Sequence, residues 1–207
     1  MQNTSLAASV SSRICHDLVS PVGAIVNGVD LVREMGAGEH SEAIGMIGQS
    51  AERASALLQL YRIAFGTAEA EAQGVARGTL AEHSAVLFAP PRIVLEWLGR
   101  DGPALPRREA RLVSLLLLCA RSILGMRGSI LLRTSSRSAM PLSLEVIADS
   151  LSSSAEMLGL LDGQANGDRV SPRTVEFVLA RDAAHELNVR LSVARSAGRV
   201  TIAAERA

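Results

Sequence analysis

The chain has 207 residues, which is enough for one large domain or two small ones. Its hydrophobic content of 48% argues against intrinsic disorder. Its 21 basic residues balance 21 acidic ones, and every basic residue is arginine, so Schiff-base chemistry and a P-loop lysine are excluded. Without a basic block, and with only 2% aromatic residues, the chain is not expected to bind nucleic acid.

The sequence carries no export or membrane signal that we recognise. The N-terminal residues lack the basic and apolar regions of a signal peptide, and the longest apolar run, Leu112–Ala120, is far shorter than the ~20 residues needed to span a bilayer. We therefore expect a cytoplasmic protein. Cys15 and Cys119 are far apart and predict neither a zinc site nor a disulfide framework, and Cys15 is expected to be buried.

Two long helices are predicted in the first 66 residues. The first is expected from about Ser5 to Met35, with cap candidates at Asn3–Ser5. Gly36–His40 predicts a tight turn in which His40 is exposed, and Ser41 is the expected N-cap of the second helix. Both helices show the alternating spacings of three and four that are typical of bundle seams. The seam residues are Leu18, Val22, Ile25, Val29 and Val32 in the first helix, and Ile44, Ile47, Ala51, Ala54, Leu58, Tyr61 and Phe65 in the second.

Two such helices joined by a short turn predict an antiparallel hairpin. A single hairpin cannot bury both its seam and the flanking apolar residues Ile14, Met46 and Leu57. A second copy would bury them by forming a four-helix bundle, so we expect a homodimer. Obligate interfaces of this kind commonly bury more than ~2,000 Å².

The remainder of the chain alternates between helix and strand patterns, so the predicted class is α+β, a helical hairpin followed by an α/β sandwich. Thr67–Arg77 is rich in Ala, Glu and Gly and predicts a linker between domains over residues 1–66 and 78–207. His83 and His185 lack metal-ligand partners at suitable spacing and are predicted to be structural. The predicted helices are Thr79–Leu87, Pro106–Leu124, Ala155–Leu161 and Pro172–Leu187. The predicted strands are Arg92–Leu98, Ser129–Thr134, Leu142–Ala148 and a closing hairpin of Val189–Ala194 and Arg199–Ala204.

His16 and Asp17 form the strongest candidate for a reactive pair. A neutral imidazole can attack through one ring nitrogen if a carboxylate holds the proton of the other. At about 100° per residue, His16 points away from the apolar seam. Pro21 costs roughly 3 kcal/mol inside a helix and frees the carbonyl of Asp17. A lone helical histidine is more often a surface or core residue, but these neighbours favour a functional role. The residues on its face are Ser9, Ser12, Arg13, Ser20, Gly23 and Asn27.

The run His16–Pro21 resembles the H-box of the dimerisation and phosphotransfer domain of sensor histidine kinases. That box has a histidine, then an acidic residue, a small polar residue at its fifth position and proline at its sixth. The wider run from Ser12 to about Leu31 is similar to the alphaproteobacterial histidine phosphotransferases of the ChpT type. Val19 stands where many kinases carry a basic residue, so the match to ordinary kinases is imperfect.

The resemblance implies a relay in which His16 takes a phosphoryl group from one receiver aspartate and passes it to another. Asp17 would be the orienting group or general base. Ser20 would either hydrogen-bond a phosphoryl oxygen or cap the carbonyl freed by Pro21, and both alternatives stay open. The partners would be the receiver domains of a hybrid histidine kinase and of response regulators, which supply their own Mg²⁺ while this chain binds no metal or cofactor. The expected receiver-contacting residues are Arg13, Val19, Gly23 and Asn27.

The second half resembles the ATP-binding domain of histidine kinases, without its nucleotide residues. The helix Pro106–Leu124 corresponds to the one that supplies magnesium-binding Asn in kinases, and it contains no Asn. Asp149 stands where the kinase pattern Asp-x-Gly-x-Gly would begin, but Leu151 and Ser153 occupy the glycine positions. No G-x-G phosphate loop occurs near Gly163–Gly167. We therefore expect a domain that has lost ATP.

Two other functions are compatible with parts of this pattern. An atypical ATP-dependent histidine kinase would require ATP binding, which the missing Asn and Gly residues oppose. A non-catalytic dimeric adaptor would use the apolar seam and leave His16 incidental. Our preferred interpretation of the sequence is a histidine phosphotransferase.

Overall fold

The computed structural model describes residues 2–34, 40–66, 74–88, 92–135, 140–165 and 170–206, and it confirms the α+β class. A long helical hairpin precedes a five-stranded sheet with its helices. The helices are α1 (Gln2–Glu34), α2 (Ser41–Ala64), α3 (Arg77–Ala85), α4 (Arg107–Leu124), α5 (Ala155–Asp162) and α6 (Val175–Glu186). The strands are β1 (Ile93–Leu98), β2 (Gly128–Thr134), β3 (Leu142–Ile147), β4 (Val189–Ser196) and β5 (Arg199–Arg206).

The sheet has the strand order β1-β2-β3-β5-β4. β1 and β2 are parallel and are joined by α4, whereas the other neighbours are antiparallel. Side chains alternate across the sheet because successive residues of a strand point to opposite faces. In β3, for example, Leu142, Leu144 and Val146 are buried, while Ser143 and Glu145 are half-buried on the other face.

Helix α4 forms the centre of the core. It packs against β2 and β3 of the sheet and against α2 and α6, and every residue of Leu112–Ala120 is buried. The longest apolar run of the sequence is therefore a core helix surrounded by protein. Across the described ranges, no helix is both long and apolar enough to cross a membrane.

The helical hairpin packs through a face of α2 that differs in part from the predicted seam. Leu57, Leu60, Tyr61 and Ala64 are buried against the core, whereas Ile44, Ala51 and Leu58 are exposed. In α1, Val22 of the predicted seam is also exposed. The prediction assumed that the three-four alternation faces the partner helix, but the C-terminal half of α2 turns its buried face toward α4 as well.

Several predicted boundaries are wrong by one to three residues. Helix α1 begins at Gln2, so Asn3–Ser5 lie inside its first turn and are not caps. The residue before α2 is His40, which is half-buried and not exposed, and Ser41 is the first helical residue. Pro172 lies before α6, which begins at Val175. The predicted turn residues 36–39 lie outside the described residues.

Part of the predicted linker belongs to the α/β half. Residues 67–73 lie outside the described residues, but Val75 forms an isolated antiparallel bridge with Leu105. Arg77 begins α3, is buried, and donates hydrogen bonds to the carbonyls of Pro103, Gly99 and Ser135. We placed this arginine in the linker because residues 67–77 are rich in Ala, Glu and Gly, whereas its burial depends on acceptors that only the fold supplies.

Cys15 is exposed, so its predicted burial is wrong, whereas Cys119 is buried in α4. His83 lies half-buried in α3 and His185 lies exposed in α6. Within the part of the chain that the structure describes, no group of three or more His, Cys, Asp or Glu side chains is arranged to hold a metal ion.

Gly28 allows α1 and α2 to approach closely. A Cβ atom there would lie 2.6 Å from Cγ1 of Ile47, whereas a Cβ at Gly23 would have no heavy atom within 4 Å. Both glycines are helical, so Gly→Ala should bring the same gain of about 1 kcal/mol in helix propensity at each site. The difference between the two variants therefore measures the overlap with Ile47.

We predict that Gly28→Ala is less stable than Gly23→Ala by about 1 to 3 kcal/mol, the usual cost of overpacking. Urea unfolding of the two variants and the wild type checks this. Equal stabilisation by both substitutions would show that the helices separate without cost at Gly28.

Candidate functional site

His16 projects from α1 into solvent, as the helical wheel predicts. Its side chain is 84% exposed, and its Nδ1 lies 2.9 Å from Oδ1 of Asp17. An ionised carboxylate can only accept hydrogen bonds, so the Nδ1 of a neutral His16 must carry the ring proton. The lone pair of Nε2 is then free and directed away from this contact. The geometry is that of an oriented imidazole nucleophile.

Asp17 lies between the exposed histidine and the interior of the hairpin. Its Oδ2 accepts a hydrogen bond from Nε of Arg13 at 3.0 Å and a short one from the hydroxyl of Tyr61 in α2. Burial by itself acts to raise the pKa of Asp17. The hydrogen bonds from Tyr61 and His16 and the positive charge of Arg13 outweigh that effect, so the pKa lies below its ordinary value. Asp17 therefore remains an anion and an acceptor at neutral pH.

Tyr61 acts as a fixed donor to this carboxylate. Burial, followed by the hydrogen bond to Asp17 and the negative charge of that residue, raises the pKa of Tyr61 far above its ordinary value. The ring also stacks on Phe65, with centroids 5.3 Å apart. The phenol proton is thus held on Tyr61 and directed at Asp17.

A buried carboxylate of the α/β half lies behind Arg13. The side chain of Glu176 in α6 is 1% exposed, and its Oε1 lies 3.5 Å from Nη1 of Arg13 and 2.5 Å from the hydroxyl of Ser122 in α4. Burial raises the pKa of Glu176, although the charge of Arg13 and the Ser122 hydrogen bond oppose the shift. Arg13 thereby connects Asp17 in the hairpin to Glu176 in the sheet domain.

Pro21 is buried, and α1 continues through it without a break. Because proline has no amide hydrogen, the carbonyl of Asp17 lacks its usual helical partner. The hydroxyl of Ser20 does not donate to this carbonyl, since it makes no hydrogen bond to any of the described residues. Of the two roles open for Ser20, capping of that carbonyl is therefore not adopted in this structure.

A cleft of about 350 Å³ opens beside His16 between the hairpin and α4. Of the predicted site residues, Arg13, His16, Asp17 and Ser20 line it. Val19, Gly23 and Asn27 lie outside the cleft on α1, where Val19 is 70% exposed. The complete lining is Arg13, His16, Asp17, Ser20, Arg53, Leu57, Leu87, Arg121 and Ser122.

The fold agrees with a family match that covers the sheet domain. Residues 70–199 match the family model described as the histidine phosphotransferase C-terminal domain. The chain belongs to the histidine phosphotransferase family. It is 31% identical over 201 residues to the Protein phosphotransferase ChpT of Brucella abortus (strain 2308), a match that covers 97% of this chain and 95% of that protein. The solved structure of a bacterial phosphotransferase superposes with a TM-score of 0.76 at 29% identity, covering 97% of this chain and 95% of the other.

Membership of the histidine phosphotransferase family favours phosphotransfer over the kinase and adaptor alternatives. The region where a kinase would hold its nucleotide agrees with this. Asp149 is exposed after β3. Leu151, at the first glycine position, packs against the hydrophobic core, so its side chain occupies space that a glycine would leave open. Ser153, at the second glycine position, is buried.

Several polar residues of the site of this histidine phosphotransferase were not predicted from the sequence. Tyr61 is the only tyrosine, but its spacing assigned it to the apolar seam. Glu176 interrupts an otherwise apolar run of buried residues, Val175–Ala180, and this was a signal that could have been used. Arg53, Arg121 and Ser122 carry no local pattern that separates them from ordinary surface residues.

We predict that Tyr61→Phe lowers the free energy of unfolding at neutral pH by about 1.5 to 3 kcal/mol, because a buried hydrogen bond to a charged group is lost. The lowered pKa of Asp17 contributes stability above the ordinary carboxyl pKa of about 4, and this contribution is lost as the pH falls through the folded-state pKa. The difference between wild type and variant should therefore shrink on acidification.

Chemical unfolding of both proteins at about pH 7 and about pH 3.5 measures this difference, with Phe at position 61 preserving the stack on Phe65. A stability difference that stays constant over this range would show that Tyr61 does not act through the charge of Asp17.

Proposed function

We propose that this histidine phosphotransferase relays a phosphoryl group between the aspartates of two receiver domains through a phosphohistidine at His16. The single observation that carries the proposal is the 2.9 Å contact from Nδ1 of His16 to Asp17, which leaves Nε2 free on an exposed helix face. The family supports the reaction class. The exchange is proposed to take place in the cytoplasm.

In the proposed transfer, the phosphoryl group moves from the donor aspartate to Nε2 of His16. The Nε2 lone pair of His16 forms a bond to phosphorus, and the bond between phosphorus and the aspartyl oxygen of the donor breaks, returning its electron pair to the donor carboxylate. Nδ1 keeps its proton, so the phosphorylated ring is positively charged. Asp17 stabilises that charge at hydrogen-bond distance. The second receiver reverses the step with its own aspartate.

The residues beside His16 suit a docked receiver. Ser20 lines the cleft with an uncommitted hydroxyl, which supports its use as a donor to a phosphoryl oxygen. Arg13, Val19, Gly23 and Asn27 are proposed to contact the receiver, and the open space at Gly23 supports close packing of a partner helix. Any Mg²⁺ is proposed to come with the receiver, whose acidic pocket would hold it.

His16→Gln is expected to abolish labelling from a radiolabelled phosphorylated receiver, because glutamine has no nucleophilic ring nitrogen. Asp17→Asn should leave His16 in place but slow its labelling on the order of 10²-fold, since an amide neither fixes the tautomer nor stabilises the cationic ring as a carboxylate does. Acid lability of the label identifies the phosphohistidine.

Three results would contradict the proposal. Labelling of His16→Gln at the wild-type rate would remove His16 as the carrier. Failure of the wild type to take label from any of several receivers would favour the adaptor, whereas labelling from ATP alone would favour the kinase.

We further propose that the hairpin pairs with a second copy to form a four-helix bundle. Both helices expose large apolar residues that the chain itself leaves uncovered, and such residues cluster at association surfaces. Val22 and Val26 lie four residues apart on one face of α1, and Ile44 and Leu58 lie within about 40° of each other on α2, which supports a contact along one face of the hairpin. Besides Val19, which is proposed to contact the receiver, the exposed large apolar residues of the hairpin are Val22, Val26 and Leu31 in α1, and Ile44, Met46 and Leu58 in α2.

Val26→Glu is expected to weaken dimerisation at least roughly tenfold, because it places two uncompensated charges in the proposed interface. Val94→Glu is the matched control, since Val26 and Val94 are both 52% exposed but Val94 lies on β1. Sedimentation equilibrium of the two variants and wild type checks this. A monomeric wild type, or equal association of both variants, would refute the bundle.

A further inference from the structure

Three arginines from three helices line the cleft beside His16. Arg13 comes from α1, Arg53 from α2 and Arg121 from α4. Arg13 is paired with Asp17 and Glu176. Neither of the others has a carboxylate partner among the described residues, and Arg121 makes its hydrogen bond to the carbonyl of Gly125, at 2.9 Å.

The unpaired arginines lie close enough to repel one another. Burial, followed by the positive charges of Arg13 and Arg53, lowers the pKa of Arg121, and only Asp17 opposes the shift. Like charges in a concave, partly buried site are unfavourable unless an anion joins them. The cleft thus holds two guanidinium groups whose positive charge the protein itself does not neutralise.

We propose that Arg53 and Arg121 form a phosphoryl-binding subsite. It holds the phosphoryl group during its transfer to His16 and afterwards in the phosphohistidine. The inference rests on the proposed function of His16. A guanidinium donates parallel N–H groups that match two phosphoryl oxygens, so two of them can hold the group from both sides of the cleft. Arg121 belongs to α4, so the sheet domain completes the phosphotransfer site.

The experiment charges His16 with phosphoramidate in the absence of any receiver. In that reaction Nε2 of His16 bonds to phosphorus, the P–N bond of phosphoramidate breaks, and ammonia leaves with the electron pair and a proton. The samples are the 207-residue wild-type chain, Arg53→Gln, Arg121→Gln, the double variant, Arg121→Lys, and His16→Gln as the blank. Arg108→Gln is the control, because Arg108 is exposed on α4 and outside the cleft.

Each single Gln variant is expected to label about tenfold more slowly, the worth of one hydrogen bond to a charged group, and the double variant more slowly still. Arg121→Lys should label faster than Arg121→Gln but more slowly than the wild type, because lysine keeps the positive charge without the parallel N–H donors of a guanidinium. The ³¹P resonance of the phosphohistidine should shift in both single Gln variants. Arg108→Gln should match the wild type. Arg53 is exposed, so its variant tests the subsite even if Arg121→Gln unfolds.

Wild-type rates and an unshifted resonance in Arg53→Gln and in folded Arg121 variants would overturn the subsite. Unchanged labelling by phosphoramidate, combined with a raised KM for a phosphorylated receiver, would also overturn it and assign the arginines to the receiver surface. A wild type that labels no better than His16→Gln would overturn the proposed function and the subsite together. A labelled wild type with unaffected arginine variants would overturn the subsite alone.

Discussion

The geometry of the candidate site depends on the hydrogen bonds of the Asp17 carboxylate. This carboxylate is the only group in the described residues that contacts His16, Arg13 and Tyr61 together. Oδ1 contacts the exposed imidazole of His16, and Oδ2 accepts hydrogen bonds from Arg13 and Tyr61 in the interior. The donors that lower its pKa keep it ionised, and an ionised Asp17 determines which nitrogen of His16 carries the proton. The chemistry of a solvent-exposed residue is thus controlled from inside the hairpin.

That control reaches into the second half of the chain. Arg13 is held between Asp17 and the buried Glu176, and Ser122 donates to the same Glu176. Removing one partner from a buried charged contact is costly, because the other is left without compensation. The sheet domain therefore makes contacts to the candidate site that do not involve a nucleotide site. It supports the orientation of Arg13, and through α4 it contributes Arg121 to the cleft beside His16.

Most of the fold could be predicted because its elements have strong local patterns. The alternation in β3, the apolar run of α4 and the spacing in α1 each identify an element before any tertiary contact is known. The errors concern residues whose environment is set by distant segments. Arg77 was assigned to the linker from the local composition, but the acceptors that surround it, such as Pro103 and Ser135, lie far along the chain.

The sequence by itself determined that His16 and Asp17 lie side by side and that His16 faces away from the apolar seam, because the two residues are adjacent and a helix fixes the face on which each residue lies. It could not determine what holds Asp17, because Tyr61 and Glu176 lie far from it in sequence and hydrogen bonds between distant residues have no periodicity. Only the tertiary structure brought these side chains to Arg13 and Asp17. It also decided which arginines line the cleft beside His16, since that depends on how the hairpin packs on α4.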